Sequence, residues 1–328
     1  MLLATLAGLA AAIWAFGSIG FDSVIAVAGR IGIGGFLLYC LWSIGVFAIL
    51  GASWLAVAPG EKLDQLGWFT WARLVREAVS DLLPFSQIGG IVVSVRTLLL
   101  RSIPASRVYA SFVVDMTTEM AAQLVFTLFG LAMMITMLME GGGAVSLRPL
   151  ILGGTAVMVA VMAMFFAGQR PAIALAGRIA QHFLPGSAVA TTGITDELRR
   201  IYASRGRVIL GFALNLAAWI GTAIGSWIVL LMMGANISIW SALTIESLIF
   251  TLRSVAFAIP GALGVQEAAY ALAAPLFGLA PETALALSLA KRARDVSLGL
   301  PTLLAWQLSE ARAVLRASRA KVDRASTG

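Results

Sequence analysis

The chain has 328 residues, 60% of them hydrophobic and 12% charged, with a mean hydropathy of +0.93. A soluble domain carries about 25% charged residues, so this composition excludes an ordinary water-facing globule and implies an all-α, polytopic integral membrane protein. One cysteine (Cys40) and one histidine (His182) exclude a disulfide framework and a Cys/His metal site, and the net charge of +7 sits in a few loops and the tail, a membrane-topology pattern that argues against nucleic acid.

In chain order, Met1–Gly20 is apolar with no basic leader, and is expected to be a retained span over 2–20. Apolar runs then predict spans near 34–58, 107–139, 148–168, 207–234 and 283–307. The run at 107–139 is too long to stand upright and is expected to tilt or to start among the headgroups. Two regions break the pattern. Trp68–Arg101 and Ile239–Phe277 each hold two short helical arms interrupted by Pro and Gly: Pro84 with Gly89 and Gly90, then Pro260 and Gly261 with Gly264. Freed backbone groups at membrane depth must lie in protein or beside water, and such broken segments point to a transporter site.

The two regions resemble each other. Pro84 and Pro260 are 176 residues apart, Gly89 and Gly264 are 175 apart, and Pro104 and Pro281 are 177 apart. The chain therefore reads as one membrane domain over 1–328. Repeat one covers about 34–139 and repeat two about 207–308, with a cytoplasmic amphipathic loop near 169–206 and a cytoplasmic tail at 309–328. Arg170, Arg178, Arg199, Arg200, Arg205 and Arg207 place the loop in the cytoplasm, and Arg312, Arg316, Arg319, Lys321 and Arg324 do so for the tail. Both termini are then cytoplasmic. Three spans separate the two hairpins, so re-entrant hairpins would enter from opposite sides with their tips near the midplane.

Charge is concentrated in these arms. Arg73, Arg76, Glu77, Asp81, Gln87 and Arg96 lie in the first hairpin, and Glu246, Arg253, Gln266 and Glu267 in the second. Asp115 and Glu119 lie in the span after the first, and Lys291, Arg292, Arg294 and Asp295 in the span after the second. A charge at a helix centre costs about 2.5–3.5 kcal/mol on insertion scales, so the set implies pairing, a wet cavity, or both. In the functional reading Arg96, Arg253, Lys291 and Arg292 attract a lipid headgroup, while Asp115, Glu119, Glu267 and Asp295 hold the cations or carry protons. In the blander reading the charges only neutralise one another and pin the repeats together. Trp68, Trp71, Arg73 and Arg76 also fit an interfacial amphipathic helix, and Pro171–Tyr202 fits a surface helix pair on anionic lipid. No GxSxG or GxxxxGK[ST] motif marks an enzyme, and no cofactor is implied. Small-residue faces leave room for a homodimer.

Pro260–Gln307 (PGALGVQEAAYALAAPLFGLAPETALALSLAKRARDVSLGLPTLLAWQ) and Ala72–Gly90 (ARLVREAVSDLLPFSQIGG) resemble the hopanoid-associated branch of the family built on the lysylphosphatidylglycerol synthase membrane (flippase-like) domain. The family's P-G-x-x-G-x-x-E element maps onto Pro260, Gly261, Gly264 and Glu267, and its first-half element onto Pro84, Gly89, Gly90 and Arg96. Ser86 and Gln87 occupy the first turn and no glutamate follows its glycines, so Glu267 has no evident counterpart. The resemblance implies a bacterial inner-membrane protein that moves a lipid between leaflets, with a hopanoid as cargo and hopanoid biosynthesis or transport proteins as partners. A membrane-embedded enzyme or scaffold of hopanoid side-chain biosynthesis is the alternative.

Overall fold

The computed structural model describes residues 13, 17–83, 86–101, 103–140, 187–255 and 264–326. Most of the predicted span at 2–20, all of that at 148–168, the breaks at Pro84, Pro260 and Gly261, and His182 lie outside them. All regular secondary structure among the described residues is helical, with no strand. The helices are α1 (Phe21–Gly29), α2 (Gly32–Ala56), α3 (Leu66–Leu82), α4 (Ser86–Leu99), α5 (Ala105–Glu140), α6 (Ser187–Ala203), α7 (Arg205–Met232), α8 (Ile239–Val255), α9 (Val265–Ala273) and α10 (Pro281–Ser326). Three of them, α2, α5 through Thr136, and α7, are long and apolar enough to cross a membrane. Large apolar side chains on their outer faces, such as Ile33, Leu37, Leu41 and Ile209, are exposed, as a lipid-facing surface requires.

At 36 residues, α5 is about 54 Å long at 1.5 Å per residue, well beyond the roughly 30 Å hydrocarbon core. The segment predicted to span 283–307 lies inside the 46-residue α10, which runs on through the predicted tail. Its first half carries Lys291, Arg292, Arg294 and Asp295, more charge than the apolar stretches of α2, α5 and α7 hold.

Helices α2 and α7 pack antiparallel. Gly35 meets Met232, the Trp42 indole N–H donates to the Gly221 carbonyl at 2.7 Å, and Gly211 meets Val57 and Ser53. The two hairpins flank this pair. Helix α3 runs in the same sense as α5: Phe69 and Phe112 both pack on Trp54, and further along Arg73 and Arg76 reach Asp115 and Glu119. Helix α8 runs in the opposite sense, with Thr251 beside Thr127 and Ser247 against Gly130. Against α10, α3 is antiparallel, Trp71 packing in one cluster with Trp306 and Ala78 lying against Gly299. The arms α3 and α8 therefore approach from opposite ends of the bundle, and their last turns meet where Arg253 pairs with Asp81 at 3.2 Å.

One feature of the first hairpin corrects the sequence reading. Gly89 and Gly90 lie inside α4, and the chain breaks ahead of them, between Leu82 and Ser86. Their role is close packing. A methyl group at Gly90 would collide with the Ser80 hydroxyl and the Arg76 carbonyl on α3. Gly264 differs: it stands at the N-terminus of α9 with φ +79°, a conformation that favours glycine. The pair Gly89 and Gly264 thus occupies two different local structures.

The loops sort by charge. Lys62, Arg101, Arg107, Arg200 and Arg207 gather at one end, where Arg107 pairs with Glu61 at 2.8 Å and faces Glu197 of α6. Helix α6 is docked on protein: Ile201 is fully buried, and Ile194 and Leu198 pack beside it against the start of α5 and α7. At the other end, Arg30 donates to the Met233 carbonyl.

Gly130 sets the approach of α5 to α8, since a Cβ there would overlap Ser247. Gly130→Ala should lower stability in detergent by about 1–3 kcal/mol through overpacking. Gly67→Ala, whose Cβ would meet nothing within 4 Å, should change it little. Equal unfolding midpoints for the two variants would refute this packing.

Candidate functional site

Hydrocarbon rejects an unpaired charge, so the position of each ionic side chain is decided by its partner. On α3, the buried faces repeat at helical spacing: Phe69, Ala72, Arg73, Arg76, Val79 and Ser80 are all buried. Arg73, fully buried, forks onto both Glu119 oxygens at 2.9 Å and reaches Asp115 at 3.3 Å. Arg76 shares the same Glu119 oxygen at 2.9 Å. Asp115 also accepts from the Ser53 hydroxyl at 2.9 Å, and Asn215 holds Thr118 at 3.1 Å. Four helices are tied together here: α2, α3, α5 and α7.

A second network lies in the other half. Lys291 donates to Glu246 at 2.6 Å and to the Tyr270 hydroxyl at 3.0 Å, and Tyr270 in turn donates to Glu246. All three side chains are buried. One turn away, Glu267 accepts from the Gly264 N–H at 2.7 Å, from Ser288 at 3.2 Å and from Arg292 at 3.2 Å, while Gln266 donates to Ser288 at 2.8 Å. The chain folds this way because Gly264 takes a positive φ at the helix start, which lets its N–H meet the carboxylate three residues on.

Between the networks, where the arms meet, Arg253 pairs with Asp81, and Arg294 pairs with Asp295. A small cleft beside them is lined by Leu74, Glu77, Asp81, Arg294, Asp295 and Thr302, among others, and has room for about one water molecule. In this conformation it admits no headgroup.

The structure thus brings together Arg73, Arg76, Asp115 and Glu119, then Glu246 with Lys291, then Gln266, Glu267 and Arg292, then Glu77, Asp81, Arg253, Arg294 and Asp295. Arg96 stands apart from all of them. Its side chain is 56% exposed and forks onto Glu310 of α10. A long arginine stem lets the charge leave the apolar face for the bundle end, so the sequence-based grouping of Arg96 with Arg253, Lys291 and Arg292 fails. Arg101 likewise lies over the Trp68 ring, 3.1 Å from its centroid, an arrangement suited to the headgroup level. The side chain of Gln87 falls outside the described residues.

Sequence reasoning missed Ser53, Asn215, Tyr270 and Ser288. Asn215 is a lone amide in an otherwise apolar span, and Tyr270 stands three and four residues after Glu267 and Gln266. Both signals were visible, but neither names a partner. Among the described residues no His, Cys, Asp and Glu group could hold a metal ion.

Every cation of the set is matched. Removing Arg73 would leave Asp115 without its cation and Glu119 with Arg76 alone, a loss of about 3–5 kcal/mol. Arg96→Ala breaks an exposed pair worth about 0.2–1 kcal/mol. Thermal unfolding in detergent should separate Arg73→Met from Arg96→Ala by many degrees, and comparable midpoints would contradict the assigned geometry.

No curated protein and no solved structure matches the chain. The family model for the lysylphosphatidylglycerol synthase TM region matches residues 1–304, and with it the multi-pass helices and buried polar interior lead to one conclusion: the chain belongs to that family of membrane proteins.

Proposed function

We propose that the protein is a lipid translocator rather than an enzyme, built on an inverted repeat, and that its cargo in the inner membrane is a hopanoid or related lipid. The observation that carries this is the end-on meeting of α3 and α8 at the Asp81–Arg253 pair. Two arms that enter from opposite ends and touch at a half-buried ion pair suit the alternating access of inverted-repeat transporters. The antiparallel α2/α7 pair supports the same symmetry. Its contacts between residues 35 and 232, and between 57 and 211, exchange with each other when each residue is shifted by the repeat offset near 176. The clustering of basic residues at the end that holds Arg107 and Arg207 supports a cytoplasmic assignment for that end. In the proposed topology six segments cross fully, α10 among them, with the two hairpins re-entrant. The hopanoid assignment rests on the resemblance of Pro260–Gln307, and the membrane-lipid role on the family.

For a headgroup to pass, the Asp81–Arg253 latch must open on one side at a time. Purified protein in vesicles should speed leaflet exchange of a labelled hopanoid or phospholipid. Arg253→Asp, which places two carboxylates together, should cut exchange at least tenfold. Asp81→Arg combined with Arg253→Asp should recover much of it. Failure of folded wild-type protein to accelerate exchange of any lipid tested would defeat the translocator reading.

A further inference from the structure

Among the described residues the interior charges balance except at the junction of the hairpins. In the first network Arg73 and Arg76 face Asp115 and Glu119. In the second, Lys291 and Arg292 face Glu246 and Glu267. At the junction the guanidiniums of Arg253 and Arg294 meet the carboxylates of Asp81, Asp295 and Glu77. Asp81 is paired with Arg253 at 3.2 Å, and Asp295 with Arg294. Glu77 is left over: it lines the cleft, half-buried, with no ion pair among the described residues.

The surroundings do not make up the difference. The charged groups acting on Asp81 are Asp295, Arg253, Glu77 and Arg294. From α2 comes Tyr39, its ring centroid 5.4 Å from the Arg294 guanidinium, and from α8 and α9 come Glu246 and Tyr270. Arg73, one turn before Glu77, is forked onto Glu119 of α5, Lys291 is bound to Glu246, and Arg96 of α4 is held by Glu310. Asp81 also stands in the last turn of α3, where the carbonyls of a helix end are partially negative. An uncompensated negative charge in an apolar bundle is costly, and one added cation removes it.

The cleft decides which cation. Its walls include Glu77, Asp81, Arg294 and Asp295, and it has room for about one water molecule. Arg294 in the wall, with Arg253 behind Asp81, repels a metal ion, whereas a proton needs no shell of ligands. A hydronium in the water position gives its proton to a carboxylate oxygen and stays behind as water. We propose that Glu77, Asp81 and Asp295 together bind one exchangeable proton through this cleft, and that the proton is the ion coupled to opening of the Asp81–Arg253 latch. A proton on Asp81 removes the charge that holds Arg253, so acid opens the junction and alkali closes it. The coupling rests on the translocator reading and names its driving ion.

Proton binding can be read without transport. Infrared difference spectra of the full chain in sodium-free detergent buffer, between about pH 8 and about pH 5, lie above the titration of ordinary exposed carboxylates. Wild type should gain a protonated-carboxyl band over that range. Glu77→Gln leaves two carboxylates for two guanidiniums, so it should lose the band whichever of the three acids carries the proton. Asp295→Asn makes the same change and serves where Glu77→Gln does not fold. Asp64→Asn, at an exposed position, should keep the band. No band in wild type, or a band retained in either folded junction variant, overturns the site. In sodium-free vesicles, wild-type exchange of a labelled phospholipid should rise at least about tenfold from about pH 8 to about pH 5, and in Glu77→Gln it should stay within about twofold. A wild-type rate that ignores pH, or that follows sodium instead, overturns the coupling. The band without any exchange would sink the translocator reading and leave the proton site standing. Exchange without the band would do the reverse.

Discussion

The cost of charge in hydrocarbon governs this molecule. Six cations and seven carboxylates occupy the interior faces of α3, α5, α8, α9 and α10, and each cation there has a carboxylate partner. All but Arg294–Asp295 connect different helices, so they fix which faces can meet. Arg73 can be buried only where Asp115 and Glu119 await it, and Lys291 only beside Glu246. The apolar surfaces could slide against lipid at little cost, whereas the ion pairs cannot. Removing one partner is expensive, although a buried pair adds little net stability over apolar residues of the same size. Stability alone therefore does not account for so many of them.

Polar backbone at membrane depth obeys the same rule. A helix end at that depth needs a partner from the protein, because lipid supplies none. At the start of α9 the Glu267 carboxylate caps the Gly264 N–H. In α4, Gly89 and Gly90 bring the second arm into close contact with Val79, Ser80 and the Arg76 carbonyl of the first. The two halves thus solve one problem by different local means, which is why a shared landmark in sequence marks two different structures.

The long spans were legible because hydropathy and length alone determine them. The runs at 34–58, 107–139 and 207–234 became Gly32–Ala56, Ala105–Glu140 and Arg205–Met232. The end of α10 was not, because hydropathy falls after 307 while Ala, Leu, Arg and Glu continue to favour helix. The charged residues were legible as a set and illegible as pairs. Sequence spacing shows that Arg73 and Glu77 share a helix, and only the fold shows that Arg73 turns to α5 while Glu77 turns to the cleft beside α10. Arg96 illustrates the limit: its position in an apolar arm suggested burial, and the reach of its side chain took it to Glu310.

The account stands on the proposal that the two hairpins enter from opposite membrane faces. Their entry points are Asp64, just before α3, and Ser238, just before α8, and both are exposed. A single cysteine at either position, in a chain carrying Cys40→Ser, can be probed in intact cells with a membrane-impermeant maleimide. The expected result is labelling of Ser238→Cys from outside, and of Asp64→Cys only after the membrane is permeabilised. Labelling of both from the same side would contradict the account.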